Sequence, residues 1–173
     1  MKIQHPTAQT GFTLIELMIT IGLFSILLML GSSLTRTWVD RSQVNSALTT
    51  FKTAVTQAKA SALRNINNQL MSNSSVSVCL DSTTNTLNII RTAFNSTDVC
   101  DVPSSPSASS NTLLRTFPLS KDIFIKQGTY NFQCMSFNSA GVLILVSGSG
   151  CSSDLATAFK VGKNDETADI YIL

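Results

Sequence analysis

The chain has 173 residues, of which 43% are apolar and only 13% are charged. Its net charge of +2 is too small to predict binding to nucleic acid or to an anionic membrane from bulk charge. A single histidine, His5, argues against imidazole-based catalysis and against histidine-ligated metal sites. We therefore expect one domain that is not an enzyme and that needs no metal or other cofactor.

The N-terminal part of the chain combines a short polar segment with a long apolar one. Residues 1–11 carry Lys2 and no acidic residue, and residues 12–31 are apolar apart from a few small polar residues and one charge, Glu16. A helix over 12–31 would span about 30 Å at ~1.5 Å per residue, which is the hydrocarbon thickness of a bilayer. The sequence therefore predicts a transmembrane helix at 12–31. A carboxylate inside such a helix is costly and usually has a partner or a function.

The residues around Glu16 carry a resemblance to a known family. The stretch 11–17, GFTLIEL, resembles the class III signal of type IV pilin precursors. The resemblance implies that 1–11 is a leader, which a prepilin peptidase removes by cutting between Gly11 and Phe12. It also implies that the new Phe12 amine is methylated, and that Glu16 pairs with the Phe12 amine of a neighbouring subunit during assembly.

A helical pattern continues beyond the apolar segment and predicts that 32–68 is the amphipathic half of the same helix. Apolar residues recur there at steps of three and four, in a stripe that would attach the helix to a sheet. The stripe consists of Leu34, Trp38, Val44, Leu48, Phe51, Val55, Ala58, Ala62 and Ile66.

From residue 76 onward the hydrophobic period changes to two, which predicts a β-rich domain over 69–173. The predicted strands are 76–80, 86–92, 113–117, 122–126, 129–137, 142–147, 157–161 and 168–173. Residues 81–85 and 138–141 are expected to close hairpins, and 95–112 is expected to be a surface loop. The fold class is α+β. The resemblance implies the type IV pilin fold, a long N-terminal helix with a protruding apolar half, packed on an antiparallel sheet.

Four cysteines, all beyond the predicted membrane span, predict disulfides formed in an oxidising periplasm. None belongs to a C-x-x-C pair, so a metal site is not expected. Three pairings are possible. We favour Cys79–Cys100 with Cys134–Cys151, because each bond then encloses one surface loop, and each would stabilise the domain by about 3 kcal/mol.

Two looser similarities select a branch of the family. Residues 54–68 followed by 76–79, and the Phe137-to-Gly141 turn, are similar to the GspH/FimT group, and among its members to FimU-type minor pilins. This resemblance implies a minor pilin that helps to prime pilus assembly and sits in or at the tip of the filament. Its partners would be other minor pilins, the major pilin and the inner-membrane assembly platform. The protein would first be a single-pass inner-membrane protein with a periplasmic domain, and later part of an extracellular pilus.

Three other functions stay open from the sequence. A type II secretion pseudopilin of the GspH kind would have the same anchor and the same Glu16, and a plain membrane-anchored periplasmic domain would share the anchor. A FimT-like DNA-binding pilin would carry a Gly-Arg-x-Arg element near its C-terminus. Here residues 162–166 read GKNDE, with one cation and two acids that would repel phosphate. Lys121, Lys126, Lys160 and Lys163 would have to gather into a patch, and a solvated face is the expected outcome.

Overall fold

The computed structural model of the chain describes residues 12–94, 96, 98–102, 110–146, 150–152, 154 and 156–172, except for the side chains of 30–34. An N-terminal helix is followed by antiparallel sheets, which confirms the predicted α+β class. Several predicted features lie outside the described residues. These are the leader 1–11 with Gly11, the side chain of Leu34, residues 95, 97 and 103–109 of the predicted loop, and the strand ends Ser147 and Leu173.

Helix α1 runs from Leu14 to Leu63 and therefore ends before residue 68, where the sequence predicted its end. Asn65 and Asn68 have left-handed backbone conformations, with φ angles of 37° and 49°. A short amide side chain tolerates this region better than most residues do. The side chain of Asn65 also accepts a hydrogen bond from the Gln69 N–H at 2.7 Å. These local bonds replace the helical ones and turn the chain away from the helix.

Two compact units make up the chain, Met1–Val39 and Asp40–Leu173. In the first unit, all the described side chains from Phe12 to Met29 are exposed, and most of them are large and apolar. Within the part of the chain that the structure describes, we find no helix with the length and apolar character needed to cross a membrane.

The second unit contains two antiparallel sheets. Their strands are β1 (Val76–Asp81), β2 (Thr86–Arg91), β3 (Thr112–Pro118), β4 (Phe124–Gln127), β5 (Tyr130–Asn131), β6 (Cys134–Phe137), β7 (Leu143–Ile144), β8 (Phe159–Lys163) and β9 (Glu166–Ile170). The first sheet has the strand order β3-β2-β1-β6-β7 and the second the order β5-β4-β8-β9. Both predicted hairpins are confirmed, since β1 pairs with β2 across 81–85 and β6 pairs with β7 across 138–141.

The single strand predicted at 129–137 is wrong, because the chain changes sheets within it. Strand β5 belongs to the second sheet, and β6 pairs with β1 in the first. The change occurs over two residues. The Phe132 N–H still donates to the Ile125 carbonyl at 2.9 Å, whereas the Gln133 carbonyl accepts from the Leu80 N–H at 2.8 Å. A hydrophobic pattern of period two does not record such a change, since both halves alternate in the same way.

The buried face of α1 begins at Val44, so the predicted stripe is wrong at both ends. Trp38 is 72% exposed and Ile66 is 60% exposed. Trp38 precedes the part of the helix that is covered, and Ile66 lies beyond the helix end, where the helical period no longer applies. The buried helix residues are Val44, Ala47, Phe51, Ala54, Val55, Ala58 and Ala62.

Two disulfides cover the face of the first sheet that points away from the core in which the buried side chains of α1 pack. They join Cys79 to Cys100 and Cys134 to Cys151, the two pairs favoured from the sequence, with Cα–Cα distances of 5.8 and 4.4 Å. Residues alternate between the two faces of a strand, so Val78 packs in the helix-side core while Cys79 packs with the disulfides on the other side. The sulfur atoms of Cys100, Cys134 and Cys151 lie within 4.8 Å of one another. As disulfide partners they offer no thiolate to a metal.

The turn between β1 and β2 is expected to contribute to the pH dependence of the free energy of unfolding in acid. Hydrogen bonds from the Thr84 hydroxyl at 2.7 Å, and from the backbone N–H groups of Thr83 and Thr84, hold the pKa of Asp81 below its ordinary value of 3.8. A lowered folded-state pKa contributes stability above the unfolded-state pKa, and this contribution is lost as the pH falls through the folded value. We expect Asp81→Asn, which keeps an acceptor but does not titrate, to lose less stability between about pH 7 and about pH 3 than the wild type.

Urea unfolding at the two pH values measures this difference. The matched control is Asp165→Asn, because Asp165 is exposed and its carboxylate accepts no hydrogen bond from the described residues. An identical loss of stability in the wild type and in Asp81→Asn would contradict the prediction.

Candidate functional site

The start of helix α1 brings the predicted assembly residues into one turn. Phe12 is 86% exposed and precedes the helix, which begins at Leu14. The Thr13 carbonyl accepts hydrogen bonds from the N–H groups of Glu16 at 3.1 Å and Leu17 at 3.2 Å. The Thr13 hydroxyl also accepts from the Glu16 N–H at 3.4 Å. Thr13 is therefore the N-cap of the helix.

Glu16 occupies a position that suits a carboxylate for two reasons. It is the acidic residue in the first turn, where the partial positive charge of the helix dipole favours an anion. Thr13 and Glu16 also form the T-x-x-E pattern of a capping box, in which the glutamate side chain can reach back to the N-cap backbone. The role of Thr13 was not predicted from the sequence, although the T-x-x-E pattern indicates a helix start at this position.

The rest of the described apolar helix satisfies its own polar groups. The Thr20 hydroxyl donates to the Leu17 carbonyl at 2.9 Å, and the Ser25 hydroxyl donates to the Ile21 carbonyl at 2.8 Å. Such bonds let hydroxyl side chains enter an apolar environment without losing a hydrogen bond. Glu16 differs, because a carboxylate in an apolar environment needs a cation. An amine produced at Phe12 by chain cleavage would supply one, either within the same chain or from a neighbour.

The lysines that would have to gather for nucleic-acid binding, which the sequence predicted to form a solvated face, have different surroundings. Lys126 and Lys160 are directly opposed on β4 and β8, and Lys160 is opposed on its other side by Asp169. The Lys163 ammonium donates to Gln43 Oε1 at 2.6 Å and lies 3.6 Å from the Asp40 carboxylate. Lys163 therefore attaches the β8–β9 hairpin to α1.

The neighbouring turn residue strengthens this attachment. Asn164 has a left-handed φ of 52°, and its side-chain amide donates to Asp40 Oδ2 at 2.7 Å. The stretch 162–166 thus combines a tight hairpin turn with two side chains that bind the helix. Its lysine is held at a partly buried ion pair, which leaves it poorly placed to bind phosphate.

Comparison with known proteins identifies the N-terminal signal. Residues 6–32 match the family model of the prokaryotic N-terminal methylation motif. No curated protein and no solved structure matches the chain. The motif supports a type IV pilin-like or pseudopilin-like protein, and it indicates a structural role in place of an enzymatic one. It also fits processing by a prepilin peptidase and anchoring in a membrane before assembly.

Proposed function

We propose that this protein is a minor type IV pilin that helps to prime pilus assembly and sits in or at the tip of the filament. The observation that carries the proposal is the first turn of α1. Its single carboxylate, on Glu16, is exposed within an apolar helix and lies four residues from Phe12. This arrangement suits a subunit that acquires a cationic amine at Phe12 and then packs its apolar helix against others.

The mechanism is assembly. The chain is anchored in the inner membrane through 12–31, with its β-rich domain in the periplasm. The prepilin peptidase hydrolyses the bond between Gly11 and Phe12, and the new Phe12 amine is methylated. In the filament, Glu16 of one subunit neutralises the Phe12 amine of the next, since neither charge is stable alone among apolar side chains. The β-rich domain makes the lateral contacts with other minor pilins and with the major pilin.

The mature N-terminus tests the proposal. In cells that process other pilin precursors, we expect the purified chain to begin at an N-methylated Phe12, as measured by intact mass and by peptide sequencing. Gly11→Val should retain residues 1–11, because a branched side chain is placed directly at the cleaved bond. The matched control is Gly22→Val, since no described atom lies within 4 Å of a Cβ added at Gly22. A wild-type chain that keeps residues 1–11 would overturn the proposal.

A second measurement separates a pilus from a type II secretion pseudopilus. A minor pilin should be found in pili sheared from the cell surface and should co-purify with other pilins. A pseudopilin should remain with the cell envelope and co-purify with secretion components. Binding of DNA is disfavoured, because Lys163 is paired with Asp40 and Gln43 in the stretch where a cationic element would be needed.

A further inference from the structure

We propose that the second unit carries a binding site for a neutral saccharide, in a cavity between the first and second sheets. The cavity has a volume of about 580 Å³. Its wall consists of the end of β1 and the following turn, the residues that lead into β4, and the segment 131–133 where the chain changes sheets. This volume lies in the range of about 300–1,000 Å³ that is usual for small-molecule sites. The proposal is independent of the filament function proposed above.

The mouth of the cavity is lined by polar side chains whose hydrogen-bonding groups have no partner among the described residues. Ser82, Lys121, Asp122, Asn131 and Gln133 line it and are all exposed. Within the described residues, the side chains of these five make no hydrogen bond and no ion pair.

Other polar side chains near the cavity are occupied by the fold. The amide of Asn85 donates to the Ser120 carbonyl at 2.6 Å, and the Asp81 carboxylate accepts from Thr83 and Thr84. The free polar side chains of the lining are therefore those of Ser82, Lys121, Asp122, Asn131 and Gln133.

The deeper wall is apolar and its backbone is firmly held. Ile125 and Phe132 line the cavity and are buried in the core, and Leu80 lies beside them. Asn85 and Asp122, on opposite connections, both have left-handed backbone conformations, with φ angles of 53° and 64°. Asparagine and aspartate tolerate this conformation in tight turns. The cavity is thus bounded by two turns and by buried core residues.

The lining selects the class of ligand. Lys121 and Asp122 have opposite charges, so the site has no net charge to attract a strongly anionic or cationic ligand. The amides of Asn131 and Gln133 each offer both donors and acceptors, as does the hydroxyl of Ser82, which suits neighbouring hydroxyl groups. The apolar wall suits the C–H face of a sugar ring. A wholly apolar ligand would leave the polar groups unpaired. A phosphorylated ligand would meet Lys121 and Asp122 together, so the site offers it no net electrostatic attraction.

A glycan array tests the proposal with the full-length chain. The protein should be held in micelles of a zwitterionic detergent, because a glycoside detergent would compete for the site. We expect at least one neutral oligosaccharide to bind, and saturation-transfer NMR with that oligosaccharide should then give its affinity. Asn131→Ala combined with Gln133→Ala should weaken this affinity by about tenfold or more, since two hydrogen-bonding side chains are lost.

Two controls test whether a loss of affinity in the double variant comes from the two missing side chains or from a loss of the fold. Asn45→Ala removes the same kind of side chain from the exposed face of α1 and should keep the affinity within about twofold. Thermal unfolding of each variant shows whether the fold is retained, which we expect because Asn131 and Gln133 are exposed. Three results would overturn the proposal: no neutral oligosaccharide binding, binding of sulfated or phosphorylated glycans only, or equal affinity in the double variant.

Discussion

Replacing Phe51 with alanine is expected to lower the free energy of unfolding by about 3–5 kcal/mol. The Phe51 side chain is completely buried, and its ring centroid lies 5.3 Å from that of Phe132 and 5.4 Å from that of Phe159. The last two rings are 5.8 Å apart, so the three form a closed triangle. Their edge-to-face and tilted contacts add to the burial of apolar area. Alanine at position 51 would leave a cavity among side chains from α1, β8 and the segment between β5 and β6.

Urea unfolding of the full-length chain in detergent, followed by circular dichroism, measures this loss. Phe94→Ala is the matched control, because Phe94 is 58% exposed and its truncation should change the free energy of unfolding by about 0.5 kcal/mol or less. A loss below about 1 kcal/mol for Phe51→Ala, or equal losses for the two variants, would show that the triangle does not hold the helix to the sheets.

Replacing Glu16 is expected to lower incorporation into sheared filaments by about tenfold or more, while the β-rich domain stays folded. This expectation rests on the proposed function. The alanine variant loses both possible contributions of the side chain, the pairing with a Phe12 amine and the capping-box contact. Quantitative immunoblotting of sheared pili against whole cells gives the incorporated fraction.

Glutamine at position 16 separates the two contributions. Glu16→Gln keeps a side chain that can complete a capping box but removes the charge. We expect Glu16→Gln to be as defective as Glu16→Ala, since neutralisation of the amine requires the carboxylate. Normal incorporation of Glu16→Gln would instead assign the role of this residue to the helix start. Glu166→Ala is the control, because Glu166 is the other glutamate of the chain and lies on β9.

The parts of the fold that the sequence predicted well depend on local patterns. The period-two alternation located β1 and β2 closely. The turn from Asn138 to Gly141 located the β6–β7 hairpin, because Gly141 supplies the left-handed residue that the turn needs. The errors arose where tertiary contacts decide the outcome. The helical period places Trp38 in the stripe, but it does not record that burial of α1 begins only at Val44.

The residues of the candidate sites also differ in whether the sequence could predict them. Glu16 and Phe12 are recognisable because their spacing is local and their chemistry is unusual in an apolar segment. The role of Lys163 was not predictable, since its partners Asp40 and Gln43 are more than a hundred residues away in sequence. The saccharide cavity was not predictable either. Its lining comes from three segments that meet only because the chain changes sheets after Phe132.

The pairing of β1 with β6 has a consequence for biogenesis. It places Cys79 directly opposite Cys134, although each of them is bonded to a loop residue instead. Opposed residues of antiparallel strands have Cα atoms about 4.5–5.5 Å apart, a distance that a disulfide can bridge. If the strands pair while the thiols are still reduced, a non-native crosslink competes with the native ones. The yield of correctly bonded protein should therefore depend on whether oxidation precedes strand pairing or an isomerase follows it.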